Sequence, residues 1–172
     1  MANILLSLIG SEAQEIVGSL SAEEAEHDNN DQVESNIKGS ETISHTEKEQ
    51  LVKSRRGQGV FRTRLERIEK KCRLTGVSAK QHLRASHIKP WSVSSNTERL
   101  DGENGLLLAP HIDHLFDRGY ISFDDDGNIL ISKRLNKEII TKWSLDIISN
   151  TGAFTDQQKI YLGHHREHIL LK

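Results

Sequence analysis

The spacing of apolar residues predicts helices near the N-terminus and around residue 60. Residues 3–20 carry apolar side chains at intervals that suit a short amphipathic helix. From residue 47 a second helical pattern begins, whose apolar positions are Leu51, Val52, Phe61, Leu65 and Ile68. Gly57 and Gly59 interrupt this pattern, so it predicts a helix, a turn and a second helix.

Shorter apolar stretches in the middle of the chain predict two strands and a short helix. The stretch "AKQHLRASHIKPW", residues 79–91, is expected to be extended, because a residue before proline is pushed out of the helical region. A polar loop over residues 92–102 follows. "GLLLAP" is short, apolar and flanked by Gly and Pro, which favours a buried strand. "HIDHLFDRG" then predicts one or two helical turns that end at Gly119.

The C-terminal part predicts a hairpin and two helices. "YISFDDDGNILIS", residues 120–132, alternates apolar and polar positions on both sides of a turn at Asp126 and Gly127. A helix is expected from Asn136 to about Ile148, and a last helix from Asp156 to about Leu171, with a break at Gly152 between them. Together these elements predict the α+β class.

Composition separates the N-terminal region from the rest. Only 35 % of the residues are hydrophobic and 5 % aromatic, which suggests that part of the chain does not fold compactly. Residues 21–46 are acidic and nearly free of large apolar side chains, so burial there cannot offset the entropy of ordering. We therefore expect residues 1–46 to be an acidic leader, a short helix plus a flexible linker, and residues 47–172 to be the folded domain.

Cysteine content and the N-terminal sequence bear on the cellular compartment of the protein. Cys72 is the one cysteine, which excludes a disulfide within the chain and a cysteine-rich zinc cluster. The apolar start "MANILLSLIG" lacks a positively charged flank and is too short to span a bilayer. A soluble, cytoplasmic protein without membrane association is expected.

Charge is distributed unevenly along the chain. Residues 1–50 contain 2 Lys/Arg and 11 Asp/Glu, a net charge of −9, whereas residues 51–100 contain 13 Lys/Arg and 3 Asp/Glu, a net charge of +10. A basic block of this density is a candidate footprint for a polyanion. The alternative is an ordinary solvated helix face.

Four polar residues are placed where the predicted elements can bring them together. His87 ends the first strand and Asn104 begins the second, while Asp113 and Asp117 lie four residues apart and so share one helix face. A strand histidine opposite two helix carboxylates suits a general base beside a divalent metal ion.

Several motifs together resemble the HNH nucleases. They are "SHIKPW", "NGLLL" and "LFD-G-ISF", preceded by "GQGVFR" and "CRLTG" and followed by "YLGHHREHI". The similarity is greatest to a branch of bacterial restriction-type endonucleases. It implies a ββα-metal (HNH) finger embedded in flanking helices, with a C-terminal hairpin and helices. It also implies a metal-dependent endonuclease that hydrolyses phosphodiester bonds in DNA, with a role in restriction or defence.

The resemblance implies a role for each site residue. His87 matches the general base, and Asn104 matches the position that ties the loop together and helps to hold that histidine. The third motif position is usually a metal-binding histidine but is Asp113 here, and Asp117 matches a second helix ligand. The position before the base is often a ligand but is Ser86 here.

These departures bear on the metal ion. Carboxylates favour Mg²⁺ or Mn²⁺, which are therefore the expected cofactors, and no small-molecule cofactor is expected. As ligands we rank Asp113 and Asp117 first, then His114, then His111.

The expected partner is double-stranded DNA. The residues expected to contact its phosphates are Arg55, Arg56, Arg62, Lys89 and Arg99. A homodimer would allow both strands to be cut. The alternative is a nuclease-derived DNA-binding module with weakened catalysis, which Ser86 and the missing third histidine support.

Two further patterns look like metal sites. "DDDGN" at residues 124–128 resembles the start of a calcium loop, but a hairpin turn is favoured because flanking helices and a final glutamate are missing. His164 and His168 lie four apart in "GHHREH", where the resemblance favours packing or DNA contact over metal binding.

Overall fold

The structure is a computed structural model that describes residues 29–148 and 150–172. The chain divides into two compact units, Met1–Ile43 and Ser44–Lys172. In the first unit residues 29–39 are helical, where the sequence predicted a linker. This helix buries Ile37 and carries an ion pair between Lys38 and Glu34 at 2.5 Å, spaced i and i+4. The helix predicted over residues 3–20 lies outside the described residues.

Two helices open the second unit, as the sequence predicted. Helix α1, His45–Arg55, begins at the N-cap Ser44, and helix α2 spans Gly59–Ile68. Gly57 in the turn between them has a φ of 61°, a conformation that favours glycine. A Cβ there would lie 2.6 Å from the carbonyl oxygen of Ala85, so the turn packs directly on the next strand.

A two-stranded antiparallel sheet and a helix follow. Strand β1, Arg84–His87, pairs with strand β2, Gly105–Leu108, in a register that puts His87 opposite Gly105. Helix α4, Pro110–Asp117, starts two residues after β2 with proline at its first turn, where the missing N–H costs no hydrogen bond. All four positions of β2 are buried.

The connection between β1 and β2 is more ordered than the predicted polar loop. It contains a 3₁₀ helix at Trp91–Val93, a short helix α3 at Asn96–Arg99 and a second 3₁₀ helix at Gly102–Asn104. Helix α3 begins with a capping box in which the side chains of Ser95 and Glu98 each bond the other residue's backbone N–H. Elements this short leave no readable periodicity in a sequence.

The remaining elements form a hairpin and two helices. Strands β3, Ile121–Phe123, and β4, Ile129–Ile131, are antiparallel, and helices α5, Lys137–Lys142, and α6, Asp156–His168, follow. Helix α5 ends well before the predicted Ile148, because Ser144 adopts a left-handed φ of 56°. Helix α6 ends at His168, short of the predicted Leu171.

Helices combined with small antiparallel sheets confirm the predicted α+β class. Among the described residues, no helix is long and apolar enough to cross a membrane.

His165 on α6 packs this C-terminal region onto the core. Its ring stacks on Phe116 with centroids 3.9 Å apart and is only 1 % exposed. Its Nε2–H donates to the Phe116 carbonyl at 3.0 Å, so Nδ1 accepts from the Ser122 hydroxyl, also at 3.0 Å. The neighbouring Arg166 donates to the Phe123 carbonyl at 3.0 Å. His165 and Arg166 of "GHHREH" therefore have a packing role.

The burial of His165 predicts acid sensitivity. Burial lowers its pKa to about 4, whereas an unfolded histidine titrates near about 6.5. Between these values the unfolded chain binds more protons than the folded protein, so the free energy of unfolding falls as pH falls through this window. From about pH 7 to about pH 5 we expect a loss of about 2 kcal/mol from this one imidazole.

Urea unfolding at about pH 7 and about pH 5 measures how the free energy of unfolding depends on pH. His165→Gln should show the smaller pH dependence, while the exposed His82→Gln should behave like the unmodified protein. An unchanged pH dependence in His165→Gln would contradict the prediction.

Candidate active site

Strand β1 presents different chemistry on its two faces. Successive side chains of a strand point to opposite sides, so Arg84 and Ser86 share one face while His87 lies on the other. The face with Ser86 meets the carboxylates of α4, because the Ser86 hydroxyl donates to Asp117 Oδ1 at 3.1 Å. The opposite face meets α2, where the His87 ring stacks on Phe61 with centroids 3.8 Å apart.

The His87 ring is held in one orientation and one tautomer. Its Nε2 lies 3.1 Å from the carbonyl oxygen of Arg99, and a carbonyl can only accept, so Nε2 carries the hydrogen. In the neutral ring Nδ1 then has the free lone pair. The pKa of His87 is lowered to about 4, mainly by burial; the bond to the Arg99 carbonyl opposes this shift, and the nearby Arg99 charge adds to it. The imidazole is therefore neutral at pH 7 and able to accept a proton at Nδ1.

Asn104 fastens the connection that carries the Arg99 carbonyl. Its side chain is fully buried. Its Oδ1 accepts from the Lys89 N–H at 2.8 Å, and its Nδ2 donates to the carbonyl oxygens of Lys89 at 3.3 Å and Glu98 at 3.1 Å. The amide thus joins the first residues after β1 to the end of α3, directly beside the residue that holds His87.

Trp91 anchors the same connection to α1. It is 5 % exposed, and its indole N–H donates to the Ser54 hydroxyl at 3.1 Å. The guanidinium of Arg99 lies over the Trp91 ring, 4.5 Å from its centroid, and donates to the Trp91 carbonyl at 2.9 Å. Trp91 of the "KPW" motif therefore positions Arg99, whose carbonyl oxygen bonds to His87.

Asp113 and Asp117 lie on the face of α4 that meets Ser86. Asp113 is 4 % exposed, and its Oδ2 lies 3.3 Å from the Arg84 guanidinium. Burial raises the pKa of Asp113, while the Ser86 hydroxyl and Arg84 act against this shift. The Ser86 hydroxyl thus donates to Asp117 and also favours the charged form of Asp113.

The donor set fits a hard divalent cation with few protein ligands. Two carboxylates and a hydroxyl offer only oxygen, and Mg²⁺ commonly binds to one or two carboxylates while it keeps several waters. Over residues 29–148 and 150–172, no group of three or more His, Cys, Asp or Glu side chains could hold a metal ion. The residues present thus suit Mg²⁺ or Mn²⁺ better than Zn²⁺, which prefers nitrogen and sulfur ligands.

The other histidines considered as ligands have different surroundings. His111 is in an edge-to-face contact with Trp143, with centroids 5.2 Å apart, and His114 is exposed. His164 and His168 face each other on α6 with centroids 4.4 Å apart. His168 also lies 3.6 Å from Glu167. The ranking of Asp113 and Asp117 ahead of these histidines stays a prediction.

Three of the basic residues expected to contact DNA are engaged within the fold. Arg62 donates to the carbonyls of Leu83 and Lys80. Lys89 pairs with Glu98 at 2.8 Å. Arg99 is 7 % exposed, and its guanidinium bonds to the connection between β1 and β2. Burial of this kind argues against a phosphate contact by Arg99.

The other two residues lie nearer to solvent. Arg56 is exposed, and Arg55 is half-buried, 5.9 Å from the centroid of the Trp91 ring. Their contact with DNA stays a prediction.

Sequence reasoning missed two residues that contact the candidate site. Phe61 supports the His87 ring, but a helix phenylalanine at core spacing carries no sign of this partner. Arg84 reaches Asp113, and period-two alternation along β1 could have revealed it, because Arg84 and Ser86 share a face.

Gly105 leaves room for the ring that supports His87. A Cβ at this position would lie 2.9 Å from Phe61 Cζ and 3.0 Å from Leu65 Cδ2. We expect Gly105→Ala to displace Phe61 and to lower the free energy of unfolding by about 1–3 kcal/mol, the usual cost of overpacking. Gly163→Ala on α6 is the matched control, because its Cβ would meet only Arg166 Nη2 at 3.8 Å. Urea unfolding of both variants checks this, and a Gly105→Ala protein of unchanged stability would contradict it.

Part of the chain is similar in sequence to a known protein family. No curated protein matches the sequence. Residues 72–124 match a family model described as HNH endonuclease. The matched segment contains β1, β2, α4 and β3, and with them His87, Asn104 and both aspartates. The match supports placing this segment in the HNH endonuclease family, and an HNH endonuclease domain suggests nuclease activity on DNA.

Proposed function

We propose that this chain is a metal-dependent HNH endonuclease that hydrolyses phosphodiester bonds in DNA, with His87 as the general base. The observation that carries the proposal is the bond from His87 Nε2–H to the Arg99 carbonyl at 3.1 Å. It leaves Nδ1 as the only proton acceptor on a ring that burial keeps neutral. The match to the HNH endonuclease family supports the reaction class.

In this mechanism His87 Nδ1 takes a proton from a water molecule. The water oxygen attacks phosphorus in line, the bond from phosphorus to the 3′ oxygen breaks, and the leaving oxygen gains a proton from solvent. The Arg99 carbonyl holds the imidazole and stabilises the imidazolium that forms. Asn104 keeps that carbonyl in place through its bond to the Glu98 carbonyl.

Asp113 and Asp117 would hold the divalent cation. When bound, the cation would neutralise negative charge that develops on the phosphate and the leaving oxygen. The hairpin of β1 and β2 followed directly by α4 supports a ββα-metal arrangement for this site. The Ser86 hydroxyl would keep the two carboxylates oriented from the strand side.

Double-stranded DNA is the proposed substrate, and restriction or defence is the proposed role. The family match supports DNA as the substrate. The restriction or defence role rests on the resemblance of the sequence motifs to those of restriction-type endonucleases. A homodimer would place a second copy of the site on the other strand.

A second candidate function is a DNA-binding module with weakened catalysis. The observation that favours it is Ser86, because a hydroxyl that donates to Asp117 is a poor ligand for a cation. Nicking of supercoiled plasmid at several Mg²⁺ and Mn²⁺ concentrations distinguishes the two. DNA binding without metal-dependent nicking would favour the module.

Replacement of the base should separate cleavage from binding. His87→Ala should lower the single-turnover cleavage rate by at least about a hundredfold, the usual contribution of a general base. It should leave DNA affinity nearly unchanged, because the ring contributes no charge at pH 7. His82→Ala is the control, since His82 is an exposed histidine in the 3₁₀ helix Lys80–His82. Unchanged cleavage by His87→Ala would rule out the assignment of the base.

Oxygen ligands predict the metal preference. Cleavage should appear with Mg²⁺ or Mn²⁺ and be weak or absent with Zn²⁺ or Ni²⁺. Asp113→Ala should abolish the metal response, and Asp113→His should move the preference towards the softer ions. Asp156→His is the control, because that side chain is 100 % exposed on α6. A preference for Zn²⁺ or Ni²⁺ in the unmodified protein would show that the ligands are histidines such as His111 or His114.

A further inference from the structure

Arg84 is the basic side chain that lies against the two carboxylates. It shares a strand face with Ser86 and lies three residues before the predicted base His87. Its Nη1 lies 3.3 Å from Asp113 Oδ2. Two side chains of β1 therefore face the carboxylates of α4: Arg84 at the start of the strand and Ser86 near its end.

The exposure of this ion pair is very unequal. The Arg84 side chain is 66 % exposed, whereas that of Asp113 is 6 % exposed. The guanidinium thus reaches from solvent over a buried carboxylate and compensates its charge. A contact through one nitrogen at 3.3 Å is neither short nor bidentate, so it holds the guanidinium weakly.

The other arginines near His87 are held differently. Arg62 bonds to two carbonyls and to Glu66, and Arg99 is buried over Trp91. Either side chain would lose these hydrogen bonds if it turned towards a ligand. Within the described part of the chain, the one hydrogen-bond partner of the Arg84 guanidinium is Asp113.

A cation at the carboxylates would change the partner of Arg84. It would take over the charge of Asp113 and repel the guanidinium, which is then free to pair with another anion. The anion nearest to a cation in a nuclease site is the phosphate being cleaved. The planar guanidinium fork matches two phosphate oxygens, which a lysine ammonium cannot do.

We propose that Arg84 binds the scissile phosphate, and that without DNA its positive charge competes with the divalent cation for Asp113. The proposal rests on the proposed function for the phosphate, but the competition for Asp113 does not require catalysis. Charge and fork geometry are separate properties of the side chain. Three substitutions of Arg84 therefore test the competition for Asp113 and the binding of the phosphate separately.

The first measurement is calorimetric binding of Mn²⁺ to the DNA-free protein. Arg84→Gln removes the charge but can still donate a hydrogen bond to Asp113, which protects the fold, and Arg84→Ala removes both. Each should bind Mn²⁺ about two- to fivefold more tightly than the unmodified protein, the range expected for loss of an exposed ion pair. Arg84→Lys keeps the charge and should bind Mn²⁺ like the unmodified protein. Equal or weaker affinity in Arg84→Gln would overturn the competition.

The second measurement is single-turnover plasmid cleavage at saturating Mn²⁺. Arg84→Ala and Arg84→Gln should each cleave about a hundred- to a thousandfold more slowly, the usual loss when one group that stabilises the transition-state charge is removed. Arg84→Lys should also be slower, because it lacks the fork, although its Mn²⁺ affinity is normal. Arg67→Ala is the control, since Arg67 is an exposed arginine on α2.

The outcomes separate this proposal from the proposed function. If the unmodified protein and Arg67→Ala cleave DNA and Arg84→Gln cleaves equally fast, the phosphate role of Arg84 is wrong and the nuclease assignment stands. If the unmodified protein does not cleave DNA with any metal ion tested, the proposed function fails and the phosphate role fails with it. The Mn²⁺ affinities still decide the competition for Asp113 in that case.

Discussion

The buried amide of Asn104 is the hydrogen-bonding centre on which the candidate site depends. It accepts from the Lys89 N–H and donates to the Lys89 and Glu98 carbonyls, so it holds both ends of the segment between β1 and α3. A buried polar group left without a partner costs about 1–3 kcal/mol, which makes this arrangement strongly preferred over any looser one. The Asn104 side chain thereby also positions the adjoining Arg99 carbonyl, which accepts the hydrogen bond from His87.

The two faces of β1 give the predicted base and the carboxylates different surroundings within a strand of four residues. On one face an aromatic ring and a carbonyl keep His87 neutral and aligned. On the other face, Arg84 and Ser86 meet the carboxylates of α4, where they oppose the rise in the pKa of Asp113 that burial causes. A base that must be neutral and carboxylates that must carry charge need different surroundings. The alternation of a strand supplies both within two adjacent residues.

The basic block between residues 51 and 100 shows why charge alone is an incomplete guide to function. Its net charge of +10 suggests a polyanion site. In the fold, however, Arg62 donates hydrogen bonds to carbonyls of the segment before β1, and Arg99 donates to a carbonyl of the segment after it. Guanidinium groups are well suited to such positions, because one side chain can bond several carbonyls at once. Lys89 is likewise paired, with Glu98. Arg84, which lies beside the carboxylates, is not distinguished from its neighbours by charge.

The sequence by itself determined most elements of residues 44–172 and the positions of the polar residues along them. Apolar periodicity and the turn glycines predicted α1, α2, β2, α4 and the hairpin of β3 and β4, because these patterns depend on residues close together in the chain. The spacing of Asp113 and Asp117 placed them on one helix face for the same reason.

Only the tertiary structure decided how these residues are held. The stacking of Phe61 on His87, the pairing of Arg84 with Asp113 and the burial of Arg99 join residues from different elements. The tautomer of His87 depends on a carbonyl twelve residues away, brought near by a connection whose short helices have no readable period. Such contacts arise from packing and from the need to satisfy buried polar groups, which are properties of the folded chain and not of any local stretch.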